Sequence, residues 1–112
     1  MDDCLFCKIA RGEIPVQKLA ENEQALAFPD LRPQAPLHAL VIPKTHLASL
    51  NDVRDWVVIG RLHELAVEVA KAKGMAASGF RTVFNTGPDA GQSVFHVHLH
   101  VLGGRALAWP PG

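Results

Sequence analysis

Three histidines lie at every second position near the end of the chain, in the run His96-Val97-His98-Leu99-His100. Side chains alternate between the two faces of a β-strand, so this spacing predicts that the three imidazoles share one face. Residues two apart on a strand are separated by about 6.5–7 Å, so one compact ligand can touch neighbouring histidines. Because imidazole serves as nucleophile, acid, base or metal ligand near neutral pH, the run indicates a functional site. The alternative is a half-exposed strand that carries its histidines incidentally.

A glycine-containing loop at residues 85–93 comes directly before the histidines. Its glycines, Gly87 and Gly91, allow the backbone to come close to a ligand, and Ser93 offers a hydroxyl to a phosphate or a leaving group. Backbone amides and histidines together form a clamp for an anion without a large excess of positive charge. Next to the histidines, the loop therefore favours a phosphate-bearing substrate. Without them, an ordinary connecting loop would be the better interpretation.

Apolar patterns and turn residues predict the elements that position these groups. Strands are expected at 17–20, 24–28, 37–42, 80–85 and 94–102, and a short helix at 4–11. A long helix is expected between a cap at Asn51 or Asp52 and an end at Gly74. Its apolar stripe consists of Val58, Leu62, Leu65, Ala66 and Val69. Strands that are mostly neighbours in sequence, together with one long helix, predict an α+β fold with a five-stranded antiparallel sheet.

Length and charge limit the function classes. A chain of 112 residues fits one domain, and its unfavourable ratio of surface to volume favours dimerisation. Lys and Arg together number 11, as do Asp and Glu, and this zero net charge argues against nucleic acid or an acidic membrane as partner. The acidic start at Met1-Asp2 and the lack of a run of about 20 apolar residues predict a cytoplasmic protein without a membrane segment.

Four segments form a specific combination: residues 30–36, 38–44, 91–105 and 109–112, which include Gly103-Gly104-Arg105 and the tail Trp109-Pro110-Pro111-Gly112. In this combination the chain resembles the histidine triad superfamily, and within it the Hint branch of nucleoside phosphoramidate hydrolases. The resemblance covers nearly the whole chain. It implies an α+β fold and a homodimer in which two subunits join their five-stranded sheets into one continuous sheet.

The resemblance implies a role for each matching residue. His98 takes the position of the nucleophile, which forms a covalent nucleotidyl–histidine intermediate, and His38 and His100 line the phosphate site. The implied ligands are purine nucleoside monophosphates and 5′-phosphoramidates, including aminoacyl adenylates. The other implied contacts are Phe28, Leu31 and Leu40 near the base, Asp30 on the ribose hydroxyls, Asn85, Gly91, Gln92 and Ser93 on ribose and phosphate, and Trp109 in a tail that reaches toward the partner's active site.

Two other functions compete with this interpretation. One is a nucleotide-binding regulatory or scaffold module with incidental turnover, and the other is a dinucleoside polyphosphate hydrolase. The intact set His38, Ser93, His98 and His100 favours an enzyme, because binding alone needs no activatable imidazole. The Gly103-Gly104-Arg105 segment and the Trp-Pro-Pro-Gly tail favour the Hint branch. No cofactor is expected to be required for the catalysis itself.

The chain has two cysteines, Cys4 and Cys7, at a spacing typical of metal ligands. His46 and His96 would complete a Cys₂His₂ tetrahedron if the sheet brought them to the N-terminal turn, and some histidine triad proteins resemble this arrangement. A redox pair and two unligated buried thiols are the alternatives. We expect one structural zinc ion, closed to water and outside the hydrolysis.

Overall fold

The computed structural model describes residues 3–112, so Met1 and Asp2 of the acidic start lie outside it. Its elements are α1 (Leu5–Ala10), β1 (Ala20–Glu21), β2 (Ala25–Pro29), β3 (Leu37–Pro43), α2 (Val57–Ala72), β4 (Phe80–Phe84) and β5 (Leu99–Gly103). The strands pair antiparallel throughout, in the order β1-β2-β3-β5-β4. The predicted α+β fold, with one five-stranded antiparallel sheet, one long helix and one short helix, is confirmed.

The two faces of the sheet carry different cores because side chains alternate along each strand. On the first face the apolar side of α2 packs against strand residues that include Ala25, Ala27, Leu37, Ala39, Val41, Leu99 and Val101. On the second face α1 packs through Phe6 and Ile9 on Leu26, Phe28, Leu40 and Ile42. The register that sets Leu40 opposite His100 brings His38 and His100 together on this second face.

The long helix is shorter at its start than predicted. Asp52 closes a capping box with Ser49 around a separate 3₁₀ turn at Leu50–Asp52, and α2 begins only at Val57, whose N–H is bound by the Asp55 carboxylate. The cap expected at Asn51 or Asp52 is therefore wrong by about one turn. The end at Gly74 is correct, since Gly74 has a φ of +75°. No helix in residues 3–112 is long and apolar enough to cross a membrane.

The strand predicted at 94–102 is also shorter, because β5 begins at Leu99. The preceding backbone groups find partners outside the sheet: the Val97 N–H donates to the Leu47 carbonyl, and the Val94 carbonyl accepts from the Gln92 side chain. Val97 nevertheless packs in the same core as Leu99 and Val101. The alternation of side chains that the sequence predicts thus extends beyond the hydrogen-bonded strand. The first strand, predicted at 17–20, is displaced to Ala20–Glu21.

Candidate active site and candidate metal centre

A cleft of about 930 Å³ opens on the sheet face opposite α2. This volume is within the range of about 300–1,000 Å³ that small-molecule sites occupy. Its apolar wall includes Leu5, Phe6, Ile9, Ile14, Val16, Phe28 and Leu40, and its polar groups include Asp30, Asn85, Ser93, His98 and His100. A large apolar wall facing a few polar groups suits a ligand with one flat apolar end and one charged end.

His98 has one ring nitrogen committed to the backbone. Its Nδ1 lies 2.8 Å from the carbonyl oxygen of His96, and a carbonyl only accepts, so the proton is on Nδ1. In the neutral form of the ring, the other nitrogen, Nε2, is therefore unprotonated. His98 is 9% exposed and lines the cleft, so this lone pair belongs to a confined nucleophile or base.

A second chain of hydrogen bonds fixes the protons of His38 and His100. The backbone N–H of Gln34 donates to Nδ1 of His38 at 3.0 Å, so His38 carries its proton on Nε2. That Nε2–H donates to Nδ1 of His100 at 2.9 Å, which leaves the proton of His100 on Nε2. Asp30 supports the same assignment, because its Oδ2 lies 3.3 Å from Nε2 of His38. His100 thus offers an N–H donor from its free nitrogen.

The surroundings of His38 and His100 favour their neutral rings. Burial, with smaller contributions from His98 and His38, lowers the pKa of His100 to about 4. Burial also lowers the pKa of His38, against the opposing effect of the Asp30 carboxylate. Neutral rings are compatible with the tautomers that the hydrogen bonds assign. The hydrogen bonds therefore place a free lone pair on Nε2 of neutral His98 and an N–H donor on Nε2 of His100.

Cys4, Cys7, His46 and His96 form a second group, which we call the Cys₂His₂ cluster. Their ligand atoms all lie within 4.8 Å of one another. Nδ1 of His96 is 3.4 Å from Sγ of Cys4 and 3.5 Å from Sγ of Cys7, and Nδ1 of His46 is 3.3 Å from Sγ of Cys7. The two Nδ1 atoms are 3.2 Å apart. The structure thus brings together all four residues that the sequence pairs as metal ligands.

These separations match the edges of a tetrahedral zinc site. With Zn–S near 2.3 Å and Zn–N near 2.0–2.1 Å, two nitrogens lie about 3.3 Å apart and a nitrogen and a sulfur about 3.5 Å apart. Nε2–H of His96 donates to the carbonyl of Pro43 at 2.8 Å, so its Nδ1 is free to bind a metal. A redox pair would not require two imidazole nitrogens at these distances, so the donor set fits zinc.

Most of the predicted nucleotide contacts border the cleft: Phe28, Asp30, Leu31, Leu40, Asn85, Gly91, Ser93, His98 and His100. Three others do not. The side chain of Gln92 turns inward, accepting from the Gly87 N–H and donating to the carbonyls of Ala48 and Val94, so it ties the loop together. His38 stands behind His100. Trp109 is 80% exposed on the tail, with the guanidinium of Arg81 6.0 Å from its ring centroid.

Sequence reasoning missed the wall that α1 provides. Leu5, Phe6 and Ile9 line the cleft together with Ile14 and Val16 of the following segment. The Phe6 ring meets the His98 ring edge-on with centroids 5.2 Å apart, and meets Phe28 at 5.9 Å. The apolar spacing of these residues is a usable signal, since residues three apart, such as Phe6 and Ile9, or four apart, such as Leu5 and Ile9, are neighbours on a helix surface.

The comparisons with known proteins agree with this geometry. The family model described as the HIT domain matches residues 11–107. An uncharacterised HIT-like protein of Synechococcus elongatus is 47% identical over 113 residues, which cover 99% of this chain and 98% of that protein. The crystal structure of a HIT family hydrolase from Legionella pneumophila is 50% identical, with a TM-score of 0.94 over 98% of this chain and 100% of that chain. A histidine triad nucleotide-binding protein from Candida albicans is 32% identical, with a TM-score of 0.84 over 96% and 83% of the two chains. The chain therefore belongs to the HIT family.

Proposed function

We propose that this protein is a nucleotidyl hydrolase that cleaves purine nucleoside 5′-phosphoramidates, and also aminoacyl adenylates, through a covalent intermediate on His98. One observation carries the proposal: the hydrogen bond from Nδ1 of His98 to the His96 carbonyl leaves Nε2 as a free lone pair inside the cleft. The relatives add support, since the Legionella pneumophila protein is named a hydrolase and the Candida albicans protein a nucleotide-binding protein. Simple nucleotide binding would not require an imidazole prepared in this way.

The proposed reaction has two displacements. Nε2 of His98 attacks phosphorus, and the bond from phosphorus to the leaving group breaks as the bond to Nε2 forms. The leaving group is the amine of a phosphoramidate or, in an aminoacyl adenylate, the carboxylate, which leaves without needing a proton. The His98 ring then carries a positive charge, which the His96 carbonyl stabilises through the Nδ1–H bond. The Ser93 hydroxyl gives its proton to the leaving amine, and Nε2–H of His100 donates to a phosphate oxygen. In the second step water attacks phosphorus as the bond to Nε2 breaks, and the proton of this water restores the Ser93 hydroxyl, which releases the nucleoside monophosphate and neutral His98.

The rest of the nucleotide is proposed to lie along the cleft away from the histidines. A purine is flat and apolar on its faces, which suits the wall of Phe28, Leu40 and Phe6. The Asp30 carboxylate accepts the ribose hydroxyls, and Leu31, 96% exposed in this structure, closes over the base or ribose. Asn85 and the backbone at Gly91, whose φ is +81°, contact ribose and phosphate.

Trapping the intermediate tests this proposal. Adenosine 5′-phosphoramidate is mixed with the protein, quenched in denaturant within milliseconds, and the intact mass is measured. A nucleotidyl adduct that maps to the peptide with His98 is expected, and His98→Asn forms none. His63→Asn is the matched control, because His63 is an exposed histidine on α2, remote from the cleft lining. Tight binding of the compound without adduct or cleavage would instead favour the regulatory module, and faster cleavage of dinucleoside polyphosphates would favour the sister enzyme.

We further propose that the Cys₂His₂ cluster holds one structural zinc ion per chain. The fit of the ligand separations to a tetrahedron supports this, as does the His96–Pro43 bond that leaves Nδ1 of His96 free. Four protein ligands leave no position for a reacting water. The chemistry that zinc would supply is a cross-link between α1, which carries Cys7, and the segments that carry His46 and His96.

A homodimer through the free edge of β4 is the proposed assembly. The sheet ends at β1 on one side and at β4 on the other, and β1 has two residues while β4 has five. The longer unpaired edge is the one that can continue a sheet into a second copy. The tail passes this edge, since Trp109 lies against Arg81 of β4. Light scattering at micromolar concentration should give twice 12.1 kDa, and a species of 12.1 kDa alone would contradict the dimer.

A further inference from the structure

The hydrogen-bond chain that ends on His100 begins outside the cleft, at Arg105. Nε and Nη2 of Arg105 donate to the carbonyl oxygen of Gln34 at 3.0 Å and 2.9 Å. The N–H of the same residue, Gln34, donates to Nδ1 of His38. Gln34, in the loop between β2 and β3, is thus held through its carbonyl by the Arg105 guanidinium, while its N–H determines which nitrogen of His38 carries the proton.

The backbone around Arg105 is built to reach this loop. Gly104 has a φ of +90°, and a Cβ at this position would lie 2.8 Å from Cβ of Pro36. Only glycine allows both the turn and the close approach to the loop. Arg105 also donates from Nη1 to the carbonyl of the next residue, Ala106. The contacts of Gly104 with Pro36 and of Arg105 with Gln34 give a structural reason for these residue types in the Gly103-Gly104-Arg105 segment.

We propose that Arg105 is a positioning residue that sets the direction of the hydrogen bonds from Gln34 through His38 to His100. This inference rests on the proposed function, because it assigns His100 as the N–H donor to phosphate. The guanidinium keeps Gln34 oriented so that its N–H meets Nδ1 of His38. His38 must then donate from Nε2, and His100 must present its own Nε2–H to the substrate.

Loss of Arg105 has a specific chemical consequence. If Gln34 turns away, only the Asp30 carboxylate still favours the proton on Nε2 of His38. Nδ1 of His38 is then free to carry the proton, and in that tautomer Nε2 is an acceptor. His100 then donates from Nδ1 to His38, and its Nε2 faces the phosphate as a lone pair. A donor to the developing negative charge is replaced by a repulsive contact, so the chemical step slows more than binding weakens.

The test is Arg105→Ala, with Arg105→Lys as the conservative variant and Arg61→Ala as the control. Arg61 is an exposed arginine on α2 that pairs with Glu64 and lies far from the loop in sequence. Imidazole ¹⁵N spectra of substrate-free protein at neutral pH report which nitrogen of each histidine carries the proton. Arg105→Ala should move the His100 proton from Nε2 toward Nδ1 and lower kcat about tenfold, with KM changed less than about threefold. Arg105→Lys, with one ammonium in reach, should fall between this variant and the wild type.

Each outcome decides the inference. Unchanged His38 and His100 nitrogens in Arg105→Ala overturn it, and so does a loss that appears only in KM or equally in Arg61→Ala. If Arg105→Ala fails to fold, the same spectrum of Arg105→Lys decides. The spectra need no substrate, so a wild-type protein that cleaves no phosphoramidate would contradict the proposed function while the proton assignments were still measured.

Discussion

His96 and His98 are two residues apart on the same side of the chain, yet they belong to different sites and carry their protons on different ring nitrogens. His96 donates from Nε2 to the Pro43 carbonyl and turns Nδ1 to the thiols of the Cys₂His₂ cluster. His98 donates from Nδ1 to the carbonyl of His96 and keeps Nε2 for the cleft. The residue type is the same in both cases, and the position of one backbone carbonyl decides which nitrogen remains available.

Exposure follows the same division. His96 is 0% exposed, which suits a ligand in a closed site, whereas His98 and His100 reach the cleft. The two sites share one backbone group, the carbonyl of His96, and one side chain, Phe6, whose ring also meets His96 at 5.9 Å. Because of these shared groups, a change in the candidate metal centre can alter the candidate active site, and the size of that effect can be measured.

The largest difference between the sites should appear in turnover. His98→Asn should lower kcat at least about a thousandfold, which corresponds to about 4 kcal/mol of barrier, because the attacking nitrogen is lost. Zinc content should stay at the wild-type level, since the backbone carbonyl and ring of His96 are retained. Steady-state kinetics and metal analysis on the same preparation check both parts. Turnover within about tenfold of the wild type would remove His98 from the role of nucleophile.

The reverse pattern is expected when the Cys₂His₂ cluster is changed. Cys7→Ser should abolish stoichiometric zinc and lower Tm by about 10 °C or more, because a structural metal contributes its binding free energy to folding. At a temperature where the variant remains folded, kcat should stay within about tenfold of the wild type. Calorimetry, with metal analysis of protein purified without chelator or affinity-resin metal, tests this. Wild-type protein that contains no zinc under those conditions, or an unchanged Tm, would contradict the proposed centre.

Acid should weaken the fold through the histidines of the active site. His100 has a pKa near 4 when folded, against 6.5 for an ordinary histidine, so between these values the unfolded chain binds the proton and the folded chain does not. Stability therefore rises with pH across this window and is lost as the pH falls. Denaturant unfolding of the wild type and of His100→Gln between pH 5 and 7 measures it. The variant should show the shallower slope, and equal slopes would contradict the low pKa, since groups elsewhere cancel in the difference.

The sequence predicted what depends on alternation and missed what depends on backbone hydrogen bonds. The alternation of Val97, Leu99 and Val101 with the histidines follows from side-chain type and spacing, and so does the pair of Cys4 and Cys7. His46 and His96 join that pair through the expected packing of the sheet and the family resemblance. The late start of β5 does not follow, because its backbone groups before Leu99 are bound by Leu47 and by the Gln92 side chain. The position of the proton on His38 does not follow either, since it depends on the direction of one backbone N–H, that of Gln34 in the loop just before β3.

The α1 wall shows a second limit of reading local patterns. The spacing of Cys4 and Cys7 predicts metal ligands, but it assigns no role to the two residues between them, Leu5 and Phe6. In the structure the same turn of helix supplies both a thiol to the cluster and an aromatic ring to the cleft. The spacing of residues along a helix shows which side chains share a face, but it does not show which groups pack against that face. Spacing alone therefore cannot reveal that one turn serves both the cluster and the cleft.

The smallest predicted effect is the coupling of the two sites through this turn. Phe6 lies between two residues of the Cys₂His₂ cluster and contacts the rings of His98 and Phe28. Removal of zinc should therefore loosen the α1 wall and raise the Kd for adenosine about three- to tenfold, which is about 1 kcal/mol. Calorimetric titration of adenosine into zinc-loaded and chelated wild-type protein, at a temperature where both are folded, measures this difference. Adenosine has no phosphate, so the titration reports on the α1 wall and not on the histidines.

Phe6→Leu is the control: it keeps all four metal ligands, and it should weaken adenosine binding to a similar extent while its zinc content stays stoichiometric. If chelation leaves the affinity for adenosine unchanged while Phe6→Leu weakens it, the α1 wall keeps its position without the metal. The two sites are then not energetically coupled, although both use residues of the same turn, and the prediction is wrong.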